Sequence, residues 1–247
     1  MLAIKGIYFD FGYVIGYPPP DLERRFLYLD WKGIEPLFAD EVLRTYWRPD
    51  LTLQGLQAFL ETQLYFPFVE HEQTDWLDPQ ANGQLLRNLS TVCTTPADQQ
   101  VINRMVAHLD TMKFIELHPG TPQVLATLSQ RPYRISMISN MLLPGWLLRD
   151  KLTAHGLLHF FQTLSISSEI GFMKPHPEIF ERTLARDGLT AGEVVFVGDT
   201  YAQDIVGAKA VGLQTIWLNS RKEPVGWAKN NPPDYTVNDL MEVLDVV

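Results

Sequence analysis

Six residues combine carboxylate, hydroxyl, amide and ammonium chemistry, and each falls at or just beyond the end of a short apolar run. Asp10 closes the run 4–9, Ser139 and Asn140 follow 134–138, and Lys174 lies in the stretch after 164–166. Asp199 follows 194–198, and Asp204 comes five residues later. Taken singly each has a structural explanation, because Asp, Ser and Asn routinely cap helices that follow strands. Brought to one edge, they would make a cleft holding acid, hydroxyl and ammonium groups together. Carboxylate oxygens of Asp10 and Asp199 are the hard ligands Mg²⁺ prefers. A cation together with Lys174 would neutralise an anionic phosphoryl group and let an anionic nucleophile approach it. Ser139 can donate to a non-bridging oxygen, and Asp10 can attack phosphorus to form an aspartyl-phosphate that water then cleaves.

Such convergence needs parallel strands, since ligands of open α/β sheets bind at the carboxyl ends of the strands. The sequence supplies them. The run 4–9 is too short for a helix and is broken by Gly12 and Gly16, which predicts a buried strand feeding a tight loop. After His118-Pro119-Gly120, strands are expected at 134–139, 162–166, 193–198 and 213–218. Helices are expected at 121–130, 143–155, 177–187 (opened by Pro177) and 202–211, with a last short strand and helix from Tyr235. This alternation predicts an α/β fold, a Rossmann-like parallel sheet with helices on both faces. Between them, residues 21–110 carry leucines and aromatics at three- and four-residue spacing, which predicts helices at 21–29, 36–47, 52–64, 79–91 and 96–109. Asp21, Thr52 and Thr95 stand at N-cap positions, and Pro96 suits a first helical turn. The expected organisation is an α/β core of residues 1–16 and 117–247 interrupted by an all-helical insertion, 17–116.

The order and spacing of four motifs resemble the haloacid dehalogenase superfamily, in its subgroup with a helical C1-type cap after the first strand. The motifs are Phe9-Asp10-Phe11-Gly12-Tyr13-Val14, Ile138-Ser139-Asn140, Lys174-Pro175-His176-Pro177-Glu178-Ile179-Phe180, and Gly198-Asp199 continuing to Asp204. The resemblance spans the whole chain, and the last two motifs are its most specific parts. It implies a Mg²⁺-dependent hydrolase acting on phosphate monoesters of small metabolites, such as a sugar phosphate. Asp10 would be the nucleophile, while Ser139, Asn140 and Lys174 would bind phosphate. Asp10, the Gly12 carbonyl and Asp199 would hold the metal, with Asp204 reaching it indirectly. For Asn140, capping of the next helix is an equal alternative. Closure of the cap about hinges at 16–20 and 118–120 is a further expectation.

One position departs from that pattern. The family's phosphatases usually carry a second Asp two residues after the nucleophile as general acid and base, and Gly12 stands there instead. General acid–base catalysis contributes about 10²–10⁴-fold, so a leaving group that needs no proton, or a water that delivers one, would be required. Tyr13, His118 and His176 are the nearest candidate donors. In the helical insertion, aromatics such as Trp31, Trp47 and Trp76 are expected in its own core, with Lys32 and Arg48 as turn residues that could face the cleft. Two alternatives remain open. A metal-free 2-haloacid dehalogenase would use Asp10 and Lys174 but has no need of Asp199 and Asp204, whose charges would repel Asp10. A weakly active or non-enzymatic binder of a phosphorylated ligand is the other.

The 247 residues suit one large α/β unit or a core with a smaller module. A net charge of −9 argues against wrapping nucleic acid. Cys93 is the only cysteine, so neither an intrachain disulfide nor a cysteine metal cluster can form. The expected partner is thus a small molecule, with no nucleic acid and no membrane, for a monomer or homodimer. The first residues lack the pattern of a secretion signal, and no apolar run nears the ~20 residues that cross a bilayer. A cytoplasmic setting is the expectation.

Overall fold

A computed structural model describes residues 4–18, 31–62, 91–95, 97–141, 143–222 and 231–247. Its centre is a six-stranded sheet in the order β5-β4-β1-β6-β7-β8. The strands are β1 (Gly6–Phe9), β4 (Arg134–Ser139), β5 (Thr163–Ile166), β6 (Val194–Gly198), β7 (Gln214–Leu218) and β8 (Tyr235–Val237), with β2 and β3 in a separate pair. Every pairing in the sheet is parallel. Strand β1 lies between β4 and β6, with Phe9 in register with Met137 on one side and Val197 on the other. The chain therefore winds outward from β1 in one direction and then in the other, and the residues after β4, β1 and β6 meet in one crevice.

Alternation along the strands sorts side chains onto two buried faces. Ile7, Phe9, Ile135, Met137, Val195 and Val197 face one way, against Val124, Leu125 and Leu128 of a helix, Thr121–Ser129. Tyr8, Ile138 and Phe196 face the other way, against Ile179, Phe180 and Leu184 of the helix Pro177–Asp187. Each fully buried Leu, Ile or Phe stabilises by about 1.5–3 kcal/mol, so two covered faces explain why these strands read as continuous apolar runs. Helix Pro177–Asp187 begins and ends as the sequence predicts. His176 Nδ1 accepts from the Glu178 N–H, Pro177 takes the first turn, and Gly188 ends the helix at φ +66°. The segment expected as a helix over 202–211 instead starts as a π-helical turn, Tyr201–Val206, and continues as an α-turn, Gly207–Ala210.

In the helical segment, α1 (Ile34–Ala39), α2 (Leu53–Leu60) and α3 (Gln99–Leu109) are present. The helix expected over 36–47 is split. Asp40 leaves helical geometry at ψ 124°, and its carboxylate accepts the N–H groups of Val42 and Leu43, which begin a separate turn, Leu43–Thr45. The same carboxylate takes Arg104 Nε at 2.8 Å and His108 Nε2 at 2.9 Å from α3. A local side-chain acceptor outcompetes helix continuation, and tertiary donors fix the break. Thr52 caps α2 through the Gly55 N–H as expected, but α3 is capped by Asp98 through Val101 N rather than by Thr95. The expected helix at 21–29 with its Asp21 cap, all but the last residue of that at 79–91, Trp76 and Pro96 lie outside the described residues. The apolar cluster of this segment runs from Leu37, Leu56 and Met105 to Leu143, Leu147 and Met173, so it is continuous with the sheet's surroundings rather than closed on itself. Strands β2 (Gly16–Tyr17) and β3 (Glu116–Leu117) pair antiparallel where the chain leaves and re-enters the sheet region.

Candidate active site

Asp10 follows β1, and its N–H donates to Val197 O at 2.9 Å, which fixes the carboxylate at the mouth of the crevice. Asp199 follows β6, and the Trp217 indole N–H holds its carbonyl at 2.8 Å. Asp204 is brought back to the same edge by the turn that starts at Tyr201. One of its oxygens accepts the N–H groups of Asp199 and Thr200 at 3.0 and 2.9 Å. The other accepts Lys174 Nζ at 2.7 Å. Lys174 also meets Asp10 Oδ1 at 2.7 Å, so one ammonium joins two carboxylates. All four groups are buried: Asp10 is 8% exposed, Asp199 4%, Asp204 0% and Lys174 1%. Oxygens of the three carboxylates lie within 4.8 Å of one another.

This concentration of charge governs ionisation. Burial raises the Asp10 carboxyl to about 6; Lys174 beside it pulls the value down and Asp204 pushes it up. Burial also raises Asp199, to about 8, with Asp204 and Asp10 adding to the rise and Arg221 and Lys174 opposing it. Burial by itself would depress the Lys174 ammonium, but Asp10 and Asp204 outweigh it and hold the group above its ordinary value. Crowding of the three buried carboxylates raises the hold of Asp10 and Asp199 on protons, and a cation bound among them would relieve that repulsion.

The remaining predicted residues take distinct places. Ser139, the last residue of β4, and Gly12 line a cleft of about 160 Å³ together with Asp10, Lys174 and Asp199. Asn140 lines the same cleft, and its side chain bridges to the backbone of Lys174. Its Oδ1 accepts the Lys174 N–H at 2.8 Å, and its amide donates to Lys174 O at 2.9 Å and Gln203 Oε1 at 3.2 Å. With its side chain spent this way, Asn140 locks the backbone that carries Lys174. Tyr13 lines the cleft, in the left-handed region at φ +55°. The other two candidate proton donors turn away: His118 Nδ1 accepts from Gly120 N, and His176 caps its helix and stacks on Phe172. Arg48 pairs with Asp50 at the surface instead of facing the cleft.

Two residues passed unnoticed in the sequence. Gln203, on the turn after β6, receives Asn140 and lines the cleft. Arg221 donates through Nη2 to Asp199 Oδ2 at 2.7 Å and covers the Tyr13 ring. Arg221 stands three residues past the end of β7, so the strand-end rule that singled out Asp10 and Asp199 could also have found it.

Comparison with known proteins places this geometry in a family. A glyceraldehyde 3-phosphate phosphatase of Methanopyrus kandleri is 34% identical over 165 residues, 64% of this chain and 69% of that protein. A phosphoserine phosphatase of Thermus thermophilus is 33% identical over 51% of this chain and 49% of its own length. The chain spans about half the length of several such curated relatives. The crystal structure of a 2-haloacid dehalogenase from Pseudomonas syringae pv. Tomato DC3000 superposes with a TM-score of 0.66 over 98% of this chain and 97% of that one. Its sequence identity is 19%, a likeness of fold alone. Residues 40–218, which hold Ser139, Lys174, Asp199 and Asp204 but start beyond Asp10, match the family model described as haloacid dehalogenase-like hydrolase. That match covers more than half of the chain, which therefore belongs to the family of haloacid dehalogenase-like hydrolases.

Proposed function

We propose that this chain is a Mg²⁺-dependent phosphatase that hydrolyses a small phosphorylated metabolite, such as a sugar phosphate, through an aspartyl-phosphate on Asp10. The observation that carries the reading is the buried set of Asp10, Asp199 and Asp204 around one lysine. A metal-free dehalogenase gains nothing from three clustered carboxylates, whereas a phosphatase needs a cation site beside its nucleophile. The phosphatase names of the sequence relatives support the same choice.

Asp10 and Asp199 would hold the ion, with the Gly12 carbonyl beside them in the cleft lining. Asp204 is poorly suited to direct ligation, since Lys174, Asp199 N and Thr200 N occupy its oxygens; it braces the other groups. When bound, Mg²⁺ neutralises phosphoryl charge and so lowers the barrier to attack by an anion. Lys174 neutralises further charge, and Ser139 donates to a non-bridging oxygen. Asp10 then forms an O–P bond as the bond to the leaving oxygen breaks, and water cleaves the acyl phosphate and restores the carboxylate. With Gly12 in place of an acid, the leaving oxygen takes its proton from water, so substrates with good leaving groups react fastest. The insertion acts as a cap whose described residues Pro18, Thr111, Met112 and Ile115 line the cleft, and the paired β2 and β3 form the joint between cap and core.

Phosphate release from p-nitrophenyl phosphate, measured with and without Mg²⁺ for the wild type and Asp10→Asn, tests this. Activity dependent on both is expected. Folded protein with no activity above the Asp10→Asn background, but with halide release from a 2-haloacid, would overturn the reading.

A further inference from the structure

Two cations divide the carboxylates of the site between them, and they differ in kind. Lys174 is sealed at 1% exposure between Asp10 and Asp204, so it cannot leave without stranding buried charge. Arg221 serves Asp199, Nη2 to Oδ2 at 2.7 Å, with its side chain still 38% exposed. Its guanidinium carbon lies 4.5 Å from the centroid of the Tyr13 ring, a cation–π contact. Tyr13 belongs to the tight loop after the nucleophile, where its N–H donates to Gly16 O at 2.7 Å. Arg221 thus ties the loop after β7 both to the loop after β1 and to the carboxylate after β6. It takes an oxygen of the same side chain that would receive the divalent ion, while among the described residues Asp199 Oδ1 has the longer Thr200 Oγ1 contact, 3.3 Å.

We propose that Arg221 is a positioning residue that sets the affinity of the site for a divalent cation. It supplies the countercharge of Asp199 when no ion is bound and opposes the ion's entry by its own charge. The proposal rests on the metal-dependent reading above. Two features follow from it: Mg²⁺ uptake proceeds against Arg221, and uptake loosens the guanidinium's hold on Asp199.

The test is calorimetric titration of MgCl₂ into full-length protein stripped with EDTA, for the wild type, Arg221→Gln, Arg221→Lys and Asp199→Asn, each checked for cooperative thermal unfolding. Removing one like charge a few ångströms from a divalent ion at a solvent-facing site should tighten Mg²⁺ binding about tenfold in Arg221→Gln. Arg221→Lys, which keeps the charge, should stay within about threefold of the wild type on the same argument. Asp199→Asn should bind no Mg²⁺. Equal or weaker binding by Arg221→Gln, or a tightening in Arg221→Lys as large as in Arg221→Gln, would overturn the proposal while leaving the metal-dependent reading standing. A wild type that takes up no Mg²⁺ would overturn both.

Discussion

Gly198 faces the carboxylate of Asp204 so closely that a Cβ at position 198 would lie 2.5 Å from both its Cγ and its Oδ2. This contact explains why a glycine must precede Asp199. The turn folds Asp204 back over the end of β6, where its oxygen collects the Asp199 and Thr200 N–H groups, and only a residue without a side chain leaves room. Gly198→Ala should therefore push Asp204 off Lys174 and lower kcat/KM on p-nitrophenyl phosphate by about 100-fold or more. Stability should fall by about 1–3 kcal/mol, the usual cost of overpacking. Phosphate release and urea unfolding measure the two effects, and a variant with wild-type activity would contradict this account of the motif.

Lys174 neutralises two buried carboxylates. Lys174→Met keeps much of the volume but leaves Asp10 and Asp204 facing each other unpaired, a change that costs about 3–5 kcal/mol when one partner of a buried ion pair is removed. Denaturant titration should show a loss of that order together with loss of hydrolysis. A stable, inactive variant would mean that the carboxylates accommodate the change by protonation.

Gly12 has room for a side chain. Among the described residues a Cβ there would meet only Asp10 Oδ2, at 3.7 Å, an ordinary contact. Gly12→Asp should therefore fold and place a carboxyl group beside the nucleophile as a proton donor. The rate on an alkyl phosphate such as glycerol phosphate should rise by at least about tenfold, within the usual range for general acid catalysis, while p-nitrophenyl phosphate should gain little. Equal changes for both substrates would show that proton donation does not limit the reaction.

Asp40 organises the helical segment. Burial would raise its carboxyl, but hydrogen bonds from Arg104, His108, Leu43 and Val42 hold it well below the usual range. A carboxyl depressed on folding stabilises the native state above its unfolded pKa of about 3.9, and this stabilisation is lost as pH falls through the lower folded value. Asp40→Asn should therefore lower stability by about 1–3 kcal/mol at neutral pH, the scale of charge-assisted hydrogen bonds. The gap to the wild type should narrow steadily below about pH 4. Thermal melts at several pH values, with a constant gap as the contrary result, decide it.

Much of the fold was legible in the chain because the information was local. Apolar runs bounded by Gly and Pro marked β1, β4, β6 and β7, and Pro177 opened a helix whose ends needed no distant partner. The strand-end rule then placed Asp10, Ser139, Lys174 and Asp199 at one edge, and the structure brings them together in one cleft. Other features depended on partners far along the chain. Helix 36–47 breaks at Asp40 because Arg104 and His108, more than sixty residues away, complete its shell of donors. Asn140 braces Lys174 because the backbone of that residue arrives within hydrogen-bonding reach of its side chain. Sequence by itself therefore determined which residues end strands and so which chemistry is available. Only the tertiary structure decided how the charges pair, Lys174 with Asp10 and Asp204 and Arg221 with Asp199, because pairing depends on distances of a few ångströms between segments that no local pattern relates.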